Sequence, residues 1–363
     1  MSQGLDDVIA AETRLSSVDG AHGILVIKGF SLDQIAGQKS FEDVAWLLFG
    51  GLFDDLPDAH TFAVQLGQAR REMFGLVHYI DDGILALPPM DGVRAIMARI
   101  ADGEDLATAT RLLAAPAVLL PAFLRLRDGQ APLAPDPRRG HAADMLHMLN
   151  GQVAAPETVS ALDTYLVTVA DHGLNASTFA ARVVASTWSG LTSSVLAGLA
   201  ALKGPLHGGA PGPIIAMLDG IGTPENAEAW IEDALARGDR LMGFGHRIYK
   251  VRDPRADALK AAVRRMAKGS NLLPGRLKLA EAVEQAALEI LHRHKPDRPL
   301  DVNVEFYTAL LLEALGFPPD AFTAVFATGR TAGWLAHARE QRLTGRLIRP
   351  QSAYVGPAPA EAA

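Results

Sequence analysis

The sequence predicts a mainly helical, all-α fold of about two domains, with one small N-terminal β-hairpin. Two observations carry this. Ala and Leu dominate a composition that is 49% apolar but only 6% aromatic, a balance that suits closely packed helices better than sheets. From about residue 40 onward, segment after segment repeats its apolar residues at helical spacing. A chain of 363 residues fits about two domains, one of them able to sit inside the other, and suffices for a large core.

The best strand signal lies near the start. LSSVDG and GILVIKG read as two short strands around an Asp-Gly turn. SFEDVAWLLFGG then opens on a serine cap with an apolar face behind it. Proline-rich stretches at ALPPMDG, AAPAVLLPAF and APLAPDPRRG predict loops or helix breaks. Residues 157–187 make a long helical zone interrupted near Gly173, and clear helical periodicity returns at 227–239, 255–268, 278–294, 304–316 and 320–343. The tail, LIRPQSAYVGPAPAEAA, is expected to be extended and frayed. No 20–50-residue period repeats, which argues against a solenoid.

Composition excludes several chemistries. There is no cysteine, hence no disulfide, thiol nucleophile or thiolate metal site. The net charge of −7 comes without a long basic run, which disfavours nucleic acid and anionic membranes. MSQGLDDVIAAET lacks a basic head followed by an apolar core, so the expected compartment is the cytoplasm. The nearest approach to a membrane span, residues 183–202, carries enough Ser, Thr and Gly to read instead as a buried helix.

Three of the eleven histidines stand out because each lies in a glycine-rich or broken segment. His172 sits in ADHGLNAST, where Asn175 and Ser177 are candidate caps for a new helix. His207 sits in KGPLHGGAPGP and His246 in LMGFGHRIYKVRDPRA. The remaining histidines read as surface or packing residues, and HRH at 292–294 presents two rings to different helix faces. Among arginines, Arg255 lies in DPRA, Arg349 in LIRPQS, and Arg330 is the single charge in AFTAVFATGRTAGWLA. A buried arginine needs either a protein carboxylate or a ligand carboxylate, which its planar fork grips in two places. Glu305, in VNVEFYTALLLEALGF, is either a first-turn residue facing water or a base held in a dry cleft. Several histidines, several arginines and one acid suggest an anionic di- or tricarboxylate and proton transfer. The long spacings between His172, His207, His246 and Glu305 argue against a metal site.

At these residues the chain resembles the citrate synthase family. The likeness runs from GLDDVIAAET to LIRPQSAYVGP and is strongest in KGPLHGGAP, LMGFGHRIYKVRDPRA, NVEFYTALLLEALGF and GRTAGWLAH. It implies an all-α homodimer, with a large domain at 1–208 and 317–363 and a small domain at 209–316 closing over a cleft. It implies condensation of acetyl-CoA with oxaloacetate and water, giving citrate and CoA, with no cofactor or metal. By position, Glu305 would remove the methyl proton and His207, before a helix N-terminus that would keep it neutral, would bond the thioester carbonyl. His246 would activate the oxaloacetate carbonyl. His172, Asn175, Arg255 and Arg330 would hold oxaloacetate, joined by Arg349 from the neighbouring subunit. Gly243, Gly245, Arg247 and Lys250 would serve CoA.

Three positions depart from the family pattern, which usually has Asp at Glu305, Pro at Val302 and Glu at Gly173. Two alternatives therefore accompany the acetyl-CoA reading: a 2-methylcitrate synthase using propionyl-CoA, and a citrate-synthase-like binding or regulatory protein with little turnover.

Overall fold

The computed structural model describes residues 4–5, 8–208, 212–246, 248–268, 273–295 and 300–356. The N-terminal hairpin forms as expected: β1 (Ser16–Asp19) pairs antiparallel with β2 (Ile24–Ile27), Asp19 opposite Ile24. A third strand, β3 (Phe30–Ser31), folds back onto β2. Two residues carry no readable period, so sequence patterning missed it. Everything larger is helical.

Two long helices form the centre. Leu106–Arg127 and Phe322–Thr344 pack on each other and are surrounded by Ala59–Met73, Pro89–Met97, Pro156–Val169, Ala176–Ser186 and Leu191–Leu202. The break expected at AAPAVLLPAF does not occur, because Pro116 and Pro121 lie inside the unbroken Leu106–Arg127 helix. An interior proline costs about 3 kcal/mol through its missing N–H and its clash with the preceding turn. Here every residue from Leu112 to Leu124 is buried, and packing on all sides offsets that cost. Among the described residues this is the one helix long and apolar enough to cross a membrane, and 89% of its most apolar window is buried in the protein. It is a core helix. Residues 183–202, expected to be one buried helix, divide between Ala176–Ser186 and Leu191–Leu202, and Asp102 caps the second by accepting the Thr192 amide at 2.9 Å.

Close packing brings Phe322–Thr344 to the loop that carries His172. Gly333 donates its amide to the Ala170 carbonyl at 3.1 Å, and a Cβ there would stand 2.3 Å from that same oxygen. Only glycine permits this approach, which sets Arg330, one turn earlier, against the end of Pro156–Val169.

Candidate active site

The chemistry-bearing residues come from separate segments and meet in one cleft of about 1590 Å³. His172, Asn175, His207, Gly245, His246, Arg255, Glu305 and Arg330 all line it, with Met242, Phe244, Leu300 and Phe326 supplying apolar wall.

His172 follows the Pro156–Val169 helix and is buried. Its Nε2 shares a hydrogen bond with the Tyr249 hydroxyl at 3.0 Å, and its ring lies 6.0 Å from that of His246. Burial, then the charges of Arg255 and Arg330, push its pKa well below the ordinary value, so the ring is neutral. Three residues on, Asn175 caps Ala176–Ser186 by accepting the Thr178 amide at 3.0 Å.

His246 is held by its own loop. Nδ1 accepts the backbone amides of Ile248 and Tyr249, both at 3.0 Å. A neutral ring held this way carries its proton on Nε2. Burial and the neighbouring Arg255 lower its pKa to about 4, so the ring is neutral; it lines the cleft, with its Nε2 3.2 Å from Arg255 Nη2. Arg255 is fixed by Asp253, whose carboxylate accepts Arg255 Nε at 3.0 Å and Nη2 at 2.8 Å. Asp253 caps Pro254–Ala267 and also accepts the Val304 amide at 3.1 Å, tying this loop to the start of the next helix.

That helix, Val304–Ala314, is capped by Asn303, which accepts the Glu305 amide at 3.0 Å. Glu305 therefore sits in the first turn, half-buried at the cleft wall. Its Oε2 is buried without a hydrogen-bond partner. Burial is the largest influence on it and, with Asp253 adding repulsion, outweighs the attraction of Arg255 and Arg330, raising its pKa from 4.5 to about 7. A carboxyl group poised near neutrality and aimed at a cleft has the properties of a general base.

His207 lies in the turn after Leu191–Leu202. Its Nε2 is 2.8 Å from Ser177 Oγ, which also accepts Trp334 Nε1–H at 3.1 Å. Burial and the charge of Arg330 lower its pKa to about 4. The helix expected after this histidine is Gly212–Ile221.

Arg330 answers the question its sequence setting posed. It is 1% exposed, donates Nε–H to the Val169 carbonyl at 2.6 Å and lies over Phe326. Among the described residues it makes no ion pair with a carboxylate. Asp171, the acid nearest in charge effect, is engaged by His337 Nε2 at 3.2 Å. Arg330 is an unspent anion-binding group at the cleft wall.

The family model described as citrate synthase, C-terminal domain, covers residues 4–351. This chain belongs to the citrate synthase family. It is accordingly an enzyme of the acyltransferase class. It is 37% identical over 366 residues to putative citrate synthase 2 of Mycobacterium tuberculosis, covering 98% of this chain and 93% of that one. It is 35% identical to the citrate synthase of Haloferax volcanii, with 98% and 96% covered. The fold superposes on citrate synthase from Thermotoga maritima with a TM-score of 0.84 at 32% identity, covering 100% and 98% of the two chains. It also superposes on citrate synthase from Thermoplasma acidophilum, solved as a ternary complex with carboxymethyl coenzyme A and oxaloacetate, with a TM-score of 0.83 at 31% identity, covering 100% and 98% of the two chains.

The residues assigned to CoA by family position are less well gathered. Gly245 lines the cleft, whereas Gly243 is buried, with its carbonyl accepting the Asn303 amide at 3.0 Å. Lys250 is exposed and outside the cleft lining, and Arg247 lies outside the described residues. Arg349 is exposed and does not line this chain's cleft.

Sequence reasoning missed the supports. Tyr249, buried between His172 and His246, sits in a basic stretch that hid it. Asp253 stands in DPRA, where only Arg255 was singled out. His337, taken for a packing residue, is buried and joins Asp171 to Arg182, whose Nη1 donates to its Nδ1 at 2.7 Å. None of these has a local signal, because each acts on partners far away in the chain.

Proposed function

We propose that this chain condenses acetyl-CoA with oxaloacetate and water, giving citrate and CoA. The observation that carries the reading is Arg330, a buried guanidinium without a carboxylate partner among the described residues, sharing a cleft with a carboxyl group of pKa about 7. One group awaits an anionic substrate and the other is tuned to take a proton.

In this reading oxaloacetate binds first, its carboxylates held by Arg255, Arg330 and His172. Glu305 removes a proton from the thioester methyl while His207 donates a hydrogen bond to the thioester oxygen, so both ends of the forming enol are stabilised together. The enol carbon attacks the oxaloacetate carbonyl, and His246 Nε2–H supplies the proton that the new alkoxide takes. Water then cleaves the C–S bond of citryl-CoA, releasing CoA thiol and the third carboxylate. No cofactor or metal has a step in this sequence. Closure of residues 209–316 over the rest would exclude water before the thioester is exposed. We place the enzyme in the cytoplasm.

The test is CoA release with oxaloacetate against acetyl-CoA and propionyl-CoA. One methylene changes transition-state binding by about 1–3 kcal/mol, so the ratio of kcat/KM values assigns the acyl chain. Faster turnover of propionyl-CoA would make this a 2-methylcitrate synthase, and no turnover of either thioester would overturn the enzyme reading for these substrates. In the same assay Glu305→Asp is expected to lower kcat on the order of 10²-fold. It withdraws the carboxylate by about an ångström from a backbone set for the longer side chain. Activity equal to or above native would show that the extra methylene is not used.

Arg349 is assigned to the oxaloacetate site of a partner subunit in a homodimer. Arg349→Ala is therefore expected to raise the KM for oxaloacetate about tenfold or more, with the KM for acetyl-CoA unchanged. Mixing it with an Arg330→Met chain should restore some activity through heterodimers that hold one intact site. Unchanged oxaloacetate affinity would remove Arg349 from the site.

A further inference from the structure

The three-stranded N-terminal sheet lies outside the groups that touch substrate in the proposed reaction, yet it contacts the loops that carry His172 and His246. On one side, Ser16 Oγ of β1 accepts the Gly173 amide at 3.0 Å, directly after His172. Val18, two residues along the same strand, faces Gly173, where a Cβ would lie 3.6 Å from Val18 Cγ2. On the other side, the β1–β2 turn docks backbone to backbone on the loop after His246. Lys250 donates its amide to the Gly20 carbonyl at 2.8 Å. A Cβ on Gly20 would stand 2.3 Å from the Ile248 carbonyl oxygen, and one on Gly23 would meet Val251 Cγ2 at 2.9 Å.

The second contact matters because of what Ile248 does. Its amide, with that of Tyr249, holds Nδ1 of His246 and so determines both the ring's orientation and which nitrogen keeps the proton. Tyr249 in turn shares its hydroxyl with His172. The turn therefore reaches the reacting groups through one peptide.

We propose that the N-terminal hairpin is a positioning clamp that sets His172 through Ser16 and sets His246 through the Gly20 contact on the 248–250 backbone. The inference rests on the proposed reaction only for its kinetic consequences, since the orientation and tautomer of His246 exist without substrate. The hairpin residues act through the histidines and touch no reacting atom. A glycine is required at residue 20 because the opposing group is a main-chain carbonyl, which cannot swing aside as a side-chain end would.

The experiment compares Gly20→Ala, Ser16→Ala and, as a control on the same turn, His22→Ala, whose exposed ring is hydrogen-bonded to Asp19. Each is made in the full chain and read by ¹⁵N NMR of labelled histidines, thermal unfolding and steady-state kinetics. Gly20→Ala is expected to move the His246 signals away from the Nε2–H tautomer. It should also lower kcat on the order of 10²-fold, as a displacement of about an ångström does. Ser16→Ala is expected to raise the KM for oxaloacetate about tenfold with kcat and the KM for acetyl-CoA retained. His22→Ala should match native in all three. Native His246 signals in a folded Gly20→Ala overturn the clamp on that side. Should Gly20→Ala fail to fold, Ser16→Ala decides, and a native oxaloacetate KM there overturns the proposal. If native protein turns over neither thioester, the proposed reaction fails while the NMR comparison still judges the clamp.

Discussion

Glu305→Gln is expected to lower kcat by about 10²–10⁴-fold, the range attributable to a positioned general base, and at the same time to make the protein more stable above neutral pH. The two effects have one cause. Burial raises the Glu305 pKa from 4.5 to about 7, which means the folded protein resists the ionised form that the reaction needs. A carboxyl whose folded pKa lies above its unfolded value stabilises fully below the unfolded pKa. That contribution is lost as pH rises from about 4.5 through about 7. The displacement corresponds to about 3 kcal/mol at most, and glutamine, which stays neutral, is spared it. Stability of native and variant should therefore converge near pH 4 and separate by pH 8, with the variant higher. Activity runs the opposite way: native kcat/KM should rise about tenfold per pH unit below 7 and level off above it. Native turnover in the glutamine variant would remove Glu305 from the reaction. A variant less stable than native at pH 8 would show that the carboxylate is a structural partner instead.

That opposition between fold and function also explains how much of the site was legible in the sequence. The helices were readable because their determinants are local: apolar residues at helical spacing, a Ser40 cap accepting the Asp43 amide, an Asn303 cap before Glu305. Pro116 and Pro121 misled because a proline's local preference for breaking a helix was overridden by burial on every side, which no window of sequence displays. At the site, bare chemistry narrowed the choice to histidines in glycine-rich turns and an isolated arginine, and the resemblance supplied their roles. Their convergence was not legible, because His172, His207, His246, Glu305 and Arg330 are joined only by tertiary packing. The same holds for the causes of their tuning. For His207, burial beside Arg330 lowers the pKa, an influence that its glycine-rich setting did not display. Tyr249, Asp253 and Asp171 went unseen because a residue that positions another has no chemistry of its own to advertise.

Two of the positions read from the sequence as departures from the family pattern, Gly173 and Val302, have definite roles in the fold. Gly173 has φ +60°, a left-handed conformation in which a side chain is strained, and its amide is the group that Ser16 accepts. Val302 donates its amide to Asp301 Oδ1 at 2.8 Å and pairs with Phe244, a bond that proline could not make. Residue 302 is thereby tied to the segment that leads into His246, three residues before Glu305.

Arg330→Met is the second large effect, and it separates a binding arginine from a structural one. The guanidinium is 1% exposed, bonds the Val169 carbonyl at 2.6 Å and has no carboxylate partner among the described residues. Burial pushes its pKa down to about 10, against the pull of Asp171, so the fold bears a desolvated cation whose natural complement is a ligand carboxylate. Methionine fills similar space without the charge. The variant should be as stable as native or more so, by about 1–3 kcal/mol, while losing about 10²–10³-fold in oxaloacetate affinity. Oxaloacetate itself supplies a readout free of turnover. At a hundred times its Kd it should stabilise native protein by about 2.7 kcal/mol and leave Arg330→Met where it was. Arg330→Lys keeps the charge but not the planar fork, and should recover only part of the affinity. If Arg330→Met instead unfolds readily and the residual folded protein binds oxaloacetate normally, the arginine is a structural member of the core. The anion site must then rest on Arg255, whose own carboxylate partner, Asp253, already balances its charge.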